Sequence, residues 1–192
     1  MCTFAGANRE AVAHVNRALQ LGSPRNWVLA PGVLSWTAWR AGDVHRARDE
    51  MIRTLPDEVR SAGGAEAVTA VYAGLSDPTK RSAALAAIHE RLAPVSGFDL
   101  ARAVTSMHVI AWDTMFGALD AAYDVAWKYL ERNVRHGLTD RFWHALWLPE
   151  IRAFRQDPRF QHLVKSLHLI EYWQAHGPPD GCDLRDGALL VY

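Results

Sequence analysis

Two tryptophans one helical turn apart, Trp36 and Trp39, followed directly by Arg40, are the residues whose types and spacing best suit a recognition chemistry. Their rings offer large contact area at small entropic cost, and the guanidinium sets a cation beside them, a combination that anchors peptides at protein interfaces. The sequence leaves two uses open: the rings face a ligand, or they fill the space between neighbouring helices. Eight tryptophans in 192 residues exceed ordinary usage several-fold, which keeps the outward-facing use in play. Other chemistries have less behind them. The nine histidines are scattered, with no His-Glu-x-x-His run and no pair supported by cysteines at ligand spacing, so no metal site is expected. His162 and His168 flank a tail helix, and His136 and His144 sit around the loop before it. No Gly-rich phosphate loop, no Gly-x-Ser-x-Gly and no Cys-His arrangement is recommended by spacing, so no catalytic residue and no cofactor is assigned and the chain is not expected to be an enzyme. Asp113, Asp120 and Asp124 share a neighbourhood. The helix dipole explains carboxylates at a helix start, and these are read as solvated capping acids.

The elements that must carry these side chains are helices. A turn followed by small or apolar residues at steps of four and three recurs as Gly6, Ala11, Val15, Ala18, as Gly42, Ala47, Met51, Thr54, and as Gly117, Ala122, Ala126, Tyr129. That spacing marks one helix face restarted after each turn, which is the pattern of a repeated helical unit. The first helix is expected over residues 8–21, closed by Gly22 and Pro24. A second unit pairs helices over 33–41 and 44–55, with Asp43 capping the second and Pro56 ending it. A break at Gly63-Gly64 precedes a third pair over 65–75 and 80–92, joined through Ser76, Asp77 and Pro78, an Asp-Pro helix start. A fourth pair runs over 99–116 and 119–132 around Gly117. Nothing reads as a strand except residues 188–192.

Balanced charge, 21 basic against 21 acidic residues, gives no electrostatic footprint for nucleic acid or an anionic membrane. No apolar run approaches the length of a membrane span, and the first residues lack the basic region of a signal peptide, so a cytoplasmic location is expected. Cys2 and Cys182 lie near opposite ends and are read as reduced surface thiols. Lysines are confined to Lys80, Lys128 and Lys165 against many arginines, a composition that hints at a GC-rich bacterial gene.

The segments from Gly6-Ala7-Asn8-Arg9-Glu10-Ala11 to Pro24, and from Gly42-Asp43-Val44-His45-Arg46-Ala47 to Pro56, resemble tetratricopeptide repeats, with Ala84 and Ile88 holding the pattern in the third unit. The tail resembles the C-terminal end of bacterial proteins in which such repeats follow an adenylate cyclase or winged-helix DNA-binding domain. The residues concerned are Leu146-Trp147-Leu148-Pro149-Glu150, Phe154-Arg155-Gln156-Asp157-Pro158-Arg159-Phe160, Glu171-Tyr172-Trp173 and Gly177-Pro178-Pro179-Asp180-Gly181-Cys182. Neither of those domains is present in this sequence. The resemblance implies an all-α, right-handed array of antiparallel helical hairpins over residues 1–138, with 139–192 as a C-terminal cap of the same domain.

Asp157-Pro158 should start a short helix with a stripe of Phe160, Leu163, Val164 and Leu167, and Trp143, Trp147, Tyr172 and Trp173 should cover the last repeat. In such a stack, residues three and six before the turn glycine face the groove. Here these are Trp39 and Trp36, then Thr114 and Ala111. The implied function is a protein-interaction scaffold that captures a peptide or helix, with Trp36, Trp39, Arg40, Tyr72, Met107 and Trp112 as partner-binding residues. The competing reading is a small-molecule sensor or enzyme using a pocket between Trp36, Trp39, Tyr72, Met107 and Trp112. If Gly6 is the turn of the first hairpin, the helix before it is cut short, as in a fragment of a longer chain or a chain whose partner covers helix 8–21. Ala11, Val15, Ala18 and Leu19 are then the face for a homodimer, or for packing on the second unit.

Overall fold

The computed structural model describes residues 8–21, 29–93, 100–135, 146–179 and 181–192. Over these residues the chain is predominantly helical, with one two-stranded sheet at the C-terminus, in agreement with the all-α expectation. None of the described helices is long and apolar enough to cross a membrane. Trp143 and Cys2 lie outside the described residues.

Helix α1 (Asn8–Gln20) packs on α2 (Leu29–Arg40), which turns back into α3 (Val44–Ile52). The turn is the one read from Gly42-Asp43. Gly42 has φ 79°, the Asp43 N–H donates to the Ala38 carbonyl at 2.9 Å, and the Asp43 carboxylate accepts from the Arg46 N–H at 3.1 Å. A left-handed glycine closes one helix while the aspartate caps the next. Helix α2 begins four residues before the expected start of 33, because Pro31 and Gly32 fall in its first turn, where a missing N–H breaks no helical bond. Helix α3 stops short of Pro56, its end marked by Thr54, whose hydroxyl donates to the Met51 carbonyl at 2.7 Å.

Pro56 leads into a further helical turn, α4 (Asp57–Val59), continued as a wide turn (Arg60–Gly64) that the sequence reading did not contain. The chain breaks where expected, at Gly63 with φ 96°, and a Cβ there would collide with the Arg91 guanidinium. Helix α5 (Ala65–Ser76) then pairs with α6 (Arg81–Ala87), which extends through a wide turn (Ile88–Leu92). Asp77 caps this start by accepting from the Thr79 N–H at 3.0 Å. Helix α7 (Leu100–Met115) turns at Gly117, φ 70°, into its partner α8 (Leu119–Arg135).

The repeated face is buried in the hairpins that follow. Ala47, Met51 and Thr54 on and after α3, Ala84 and Ile88 on α6 and its extension, and Ala122, Ala126 and Tyr129 on α8 are all enclosed. On α1 only Ala11 is buried, with Val15 and Ala18 half-covered.

Beyond α8 come a single turn (Pro149–Ile151), α9 (Arg152–Gln156), α10 (Arg159–Ser166) and α11 (Leu169–His176), then strands β1 (Cys182–Arg185) and β2 (Ala188–Val191). Helix α10 buries the expected Phe160, Leu163 and Val164, with Leu167 half-covered. This segment lies on α8. Tyr123 stacks on Phe154 at 4.1 Å between centroids and donates to the Phe154 carbonyl at 2.8 Å, and Arg159 sits 4.4 Å above the Tyr123 ring while pairing with Asp120 and Asp157. Trp147 and Trp173 meet edge to face at 5.6 Å. Tyr172, expected beside them, is instead 57% exposed against His176.

Strand β2 includes most of the run expected at residues 188–192, and its partner β1 was not anticipated. Asp186-Gly187, both at positive φ, form the tight turn between them. Leu189 faces away from the ladder, and the Gln161 side chain supplies the missing strand: its amide oxygen accepts from the Leu189 N–H at 2.9 Å and its amide nitrogen donates to the Leu189 carbonyl. At Leu189 this occupies the backbone groups that the edge of β2 would otherwise offer to another strand. Replacing Gln161 with Ala should cost about 1 to 2 kcal/mol, and hydrogen exchange at Leu189 should accelerate ahead of global unfolding; unchanged protection would show that the amide does not hold the strand.

Candidate functional site

Helix α2 sits at the meeting point of the fold. Ser35 is fully buried; its hydroxyl donates to the Ala47 carbonyl on α3 at 2.7 Å and lies 2.8 Å from the Tyr72 hydroxyl on α5. A serine has one proton to give, so Tyr72 is the donor in the second bond. Burial, with the nearby Glu150 charge adding to it, pushes the Tyr72 hydroxyl above its usual range and keeps it protonated for that role.

The next residue, Trp36, leans on His108 of α7 at 5.9 Å, and His108 stacks on Trp112, one turn further along the same helix, at 5.7 Å. Trp39 meets Tyr72 edge-on at 5.9 Å. Arg40 closes the series. Its Nε and Nη2 donate to the two carboxylate oxygens of Glu150 at 2.6 and 2.7 Å, and its Nη1 donates to the Asn8 side chain at 2.9 Å.

Of the six residues singled out in the sequence, Trp36, Trp39 and Arg40 lie on α2, Tyr72 touches it, and Trp112 is linked to it through His108. Trp36, Tyr72, Met107 and Trp112 are all under 5% exposed, which puts them in the core, with little area for a partner. Ala111 and Thr114, the other groove positions, are buried as well. Trp39 and Arg40 are half-buried and reach the surface at the C-terminal end of α2. The contact between Trp36 and His108 joins the α2/α3 hairpin directly to the α7/α8 hairpin.

Sequence reasoning missed Ser35, His108, His89 and Glu150. His108 lies one turn before Trp112, a helical spacing that would have placed the two rings together. Glu150 is 110 residues from Arg40, and no local pattern could link them.

Asp113 departs from the solvated role expected for it. Asp120 and Asp124 are exposed, whereas Asp113 is fully enclosed, on a stretch of α7 buried on nearly every side. Its Oδ1 lies 3.0 Å from Nε2 of the half-exposed His89, and its Oδ2 has no hydrogen-bond partner. Burial raises its carboxyl above the ordinary range, and His89 offsets part of that. The pair ties the start of the α6 extension to α7. Among the described residues no group of three or more His, Cys, Asp or Glu side chains could hold a metal ion.

No protein-family model, curated protein or solved structure matches this chain. Its function is therefore argued from its own geometry.

His108 carries the sharpest electrostatic consequence. Burial lowers its pKa to about 4. The imidazole is neutral at physiological pH. The unfolded chain takes up the proton near pH 6.5 and the folded chain only near pH 4, so stability falls as pH drops through that window, by about 3 kcal/mol for this group. Asp113 has the opposite sign, since the folded chain protonates it at higher pH than the unfolded chain does and is relieved as pH falls. In urea denaturation at pH 7 and pH 5, His108→Leu should lose less stability than the wild type and Asp113→Asn more. Parallel losses in all three proteins would contradict both assignments.

Proposed function

We propose that the chain is a tetratricopeptide-like helical scaffold, a regulatory module of the bacterial cytoplasm that binds a protein partner as a peptide or helix. The observation that carries this reading is the succession of antiparallel hairpins α2/α3, α5/α6 and α7/α8, each burying the same face of its second helix. Repeats of this kind act through the surface they present rather than through a reactive group. The part of the expected recognition face that a partner can reach is the end of α2. There an amphipathic ring, Trp39, stands beside a guanidinium whose fork already accepts a carboxylate in two-point fashion. A partner segment with an acidic residue beside apolar ones fits that pair.

The alternative, a small-molecule sensor or enzyme, has one observation in its favour: the indole N–H of Trp112 is buried without a partner inside an aromatic-lined interior, where a polar ligand atom could satisfy it.

The two readings separate in one affinity experiment. A protein held in stoichiometric amount by the immobilised wild-type chain should be lost with Trp39→Ala and weakened roughly ten-fold with Arg40→Lys, which keeps the charge but not the fork, both variants retaining wild-type helicity. Equal recovery by wild type and variants would contradict the α2 surface, and recovery of a small molecule with no protein would favour the sensor.

A further inference from the structure

Resting on that interaction reading, we propose that residues 146–154 are an internal pseudo-ligand occupying the place where a partner peptide binds. The partner peptide then carries a carboxylate with an aliphatic residue two positions before it and another directly after. Arg40, expected to be a partner-binding cation, meets both carboxylate oxygens of Glu150 in the chain's own tail. Leu148 and Ile151, which flank that carboxylate, are 2% and 1% exposed, and the turn they belong to packs on α7.

The segment has the form of a bound peptide. Its turn is held from its own side by Arg155, whose Nη1 donates to the carbonyls of Leu146 and Leu148 at 2.6 and 2.9 Å. Toward α2 it contributes one carboxylate, while its two aliphatic residues, Leu148 and Ile151, are buried in a turn that packs on α7. Charge complementarity selects the occupant: a guanidinium that is 13% exposed accepts a carboxylate and rejects a neutral or cationic residue. While the tail segment is seated, a competing peptide binds only to the fraction of molecules in which it has left, so the apparent affinity is reduced by that fraction. A partner bearing this pattern would displace the tail, and the chain would be self-inhibited until it did.

The test uses the full chain and a fluorescently labelled nonapeptide with the sequence of residues 146–154. Glu150→Gln removes the charge that seats the tail but leaves Arg40 in place, and should raise the anisotropy-measured affinity for the peptide roughly ten-fold or more over wild type. A peptide with Ala in place of its Glu should not bind, and Arg40→Leu in the Glu150→Gln background should abolish binding of the original. Should Glu150→Gln lose its wild-type circular dichroism, Arg155→Gln loosens the segment from its own turn without touching the Arg40 pair, and should show the same gain. The proposal is overturned if a folded variant of either kind binds no more tightly than wild type, or binds both peptides alike. Failure here with a partner still lost on Trp39→Ala would remove the pseudo-ligand and leave the scaffold reading standing, whereas failure of both would remove both.

Discussion

A guanidinium and a carboxylate separated by 110 residues meet with 13% and 10% of their side chains exposed. Most of the hydration of both charges has been surrendered. Such a pair is tolerable only when its geometry is tight, because the Coulombic gain must offset desolvation, and a two-point Arg–Glu contact provides that geometry. The constraint propagates. Arg40 can hold Glu150 only if α2 is fixed against the rest of the fold, and α2 is fixed by a different side chain toward each neighbour: Ser35 toward α3 and α5, Trp36 toward α7, Trp39 toward Tyr72. The tail must in turn be fixed on α8, which Tyr123, Phe154 and Arg159 accomplish.

The α2/α3 and α7/α8 hairpins touch through Trp36 and a neutral histidine, His108, which stacks in turn on Trp112 of its own helix. An imidazole suits that place because it stacks like an aromatic ring and, kept uncharged by burial, adds no ionic penalty. The candidate residues expected to receive a partner are largely core, and of them only Trp39 and Arg40 reach the surface, where α2 ends.

What was legible in the sequence was what local chemistry determines. Gly42-Asp43, Asp77-Pro78, Gly117 and Asp157-Pro158 each mark an observed helix boundary, because positive φ, a capping carboxylate and a fixed proline φ act within a few residues. The buried stripes Ala47, Met51, Thr54 and Ala122, Ala126, Tyr129 were legible for the same reason, helical period. The helical turn after Pro56 went unread, since a proline that stops one helix can equally lead into the next. The Asp186-Gly187 turn carried a hairpin signal that went unread. Whether Trp36 faced inward depended on His108, which lies 72 residues away, and on how far the hairpins close on one another. Glu150 was invisible as the partner of Arg40, because a tertiary ion pair leaves no period in the chain.

The most direct measurement is a double-mutant cycle in urea denaturation with Arg40→Leu, Glu150→Gln and the two combined. If this pair couples α2 to the tail, the two losses should overlap, with an interaction energy of about 2 kcal/mol. Losses that simply add, within about 0.5 kcal/mol, would mean that α2 and the tail are held independently and that the pair is not the constraint on which the fold depends.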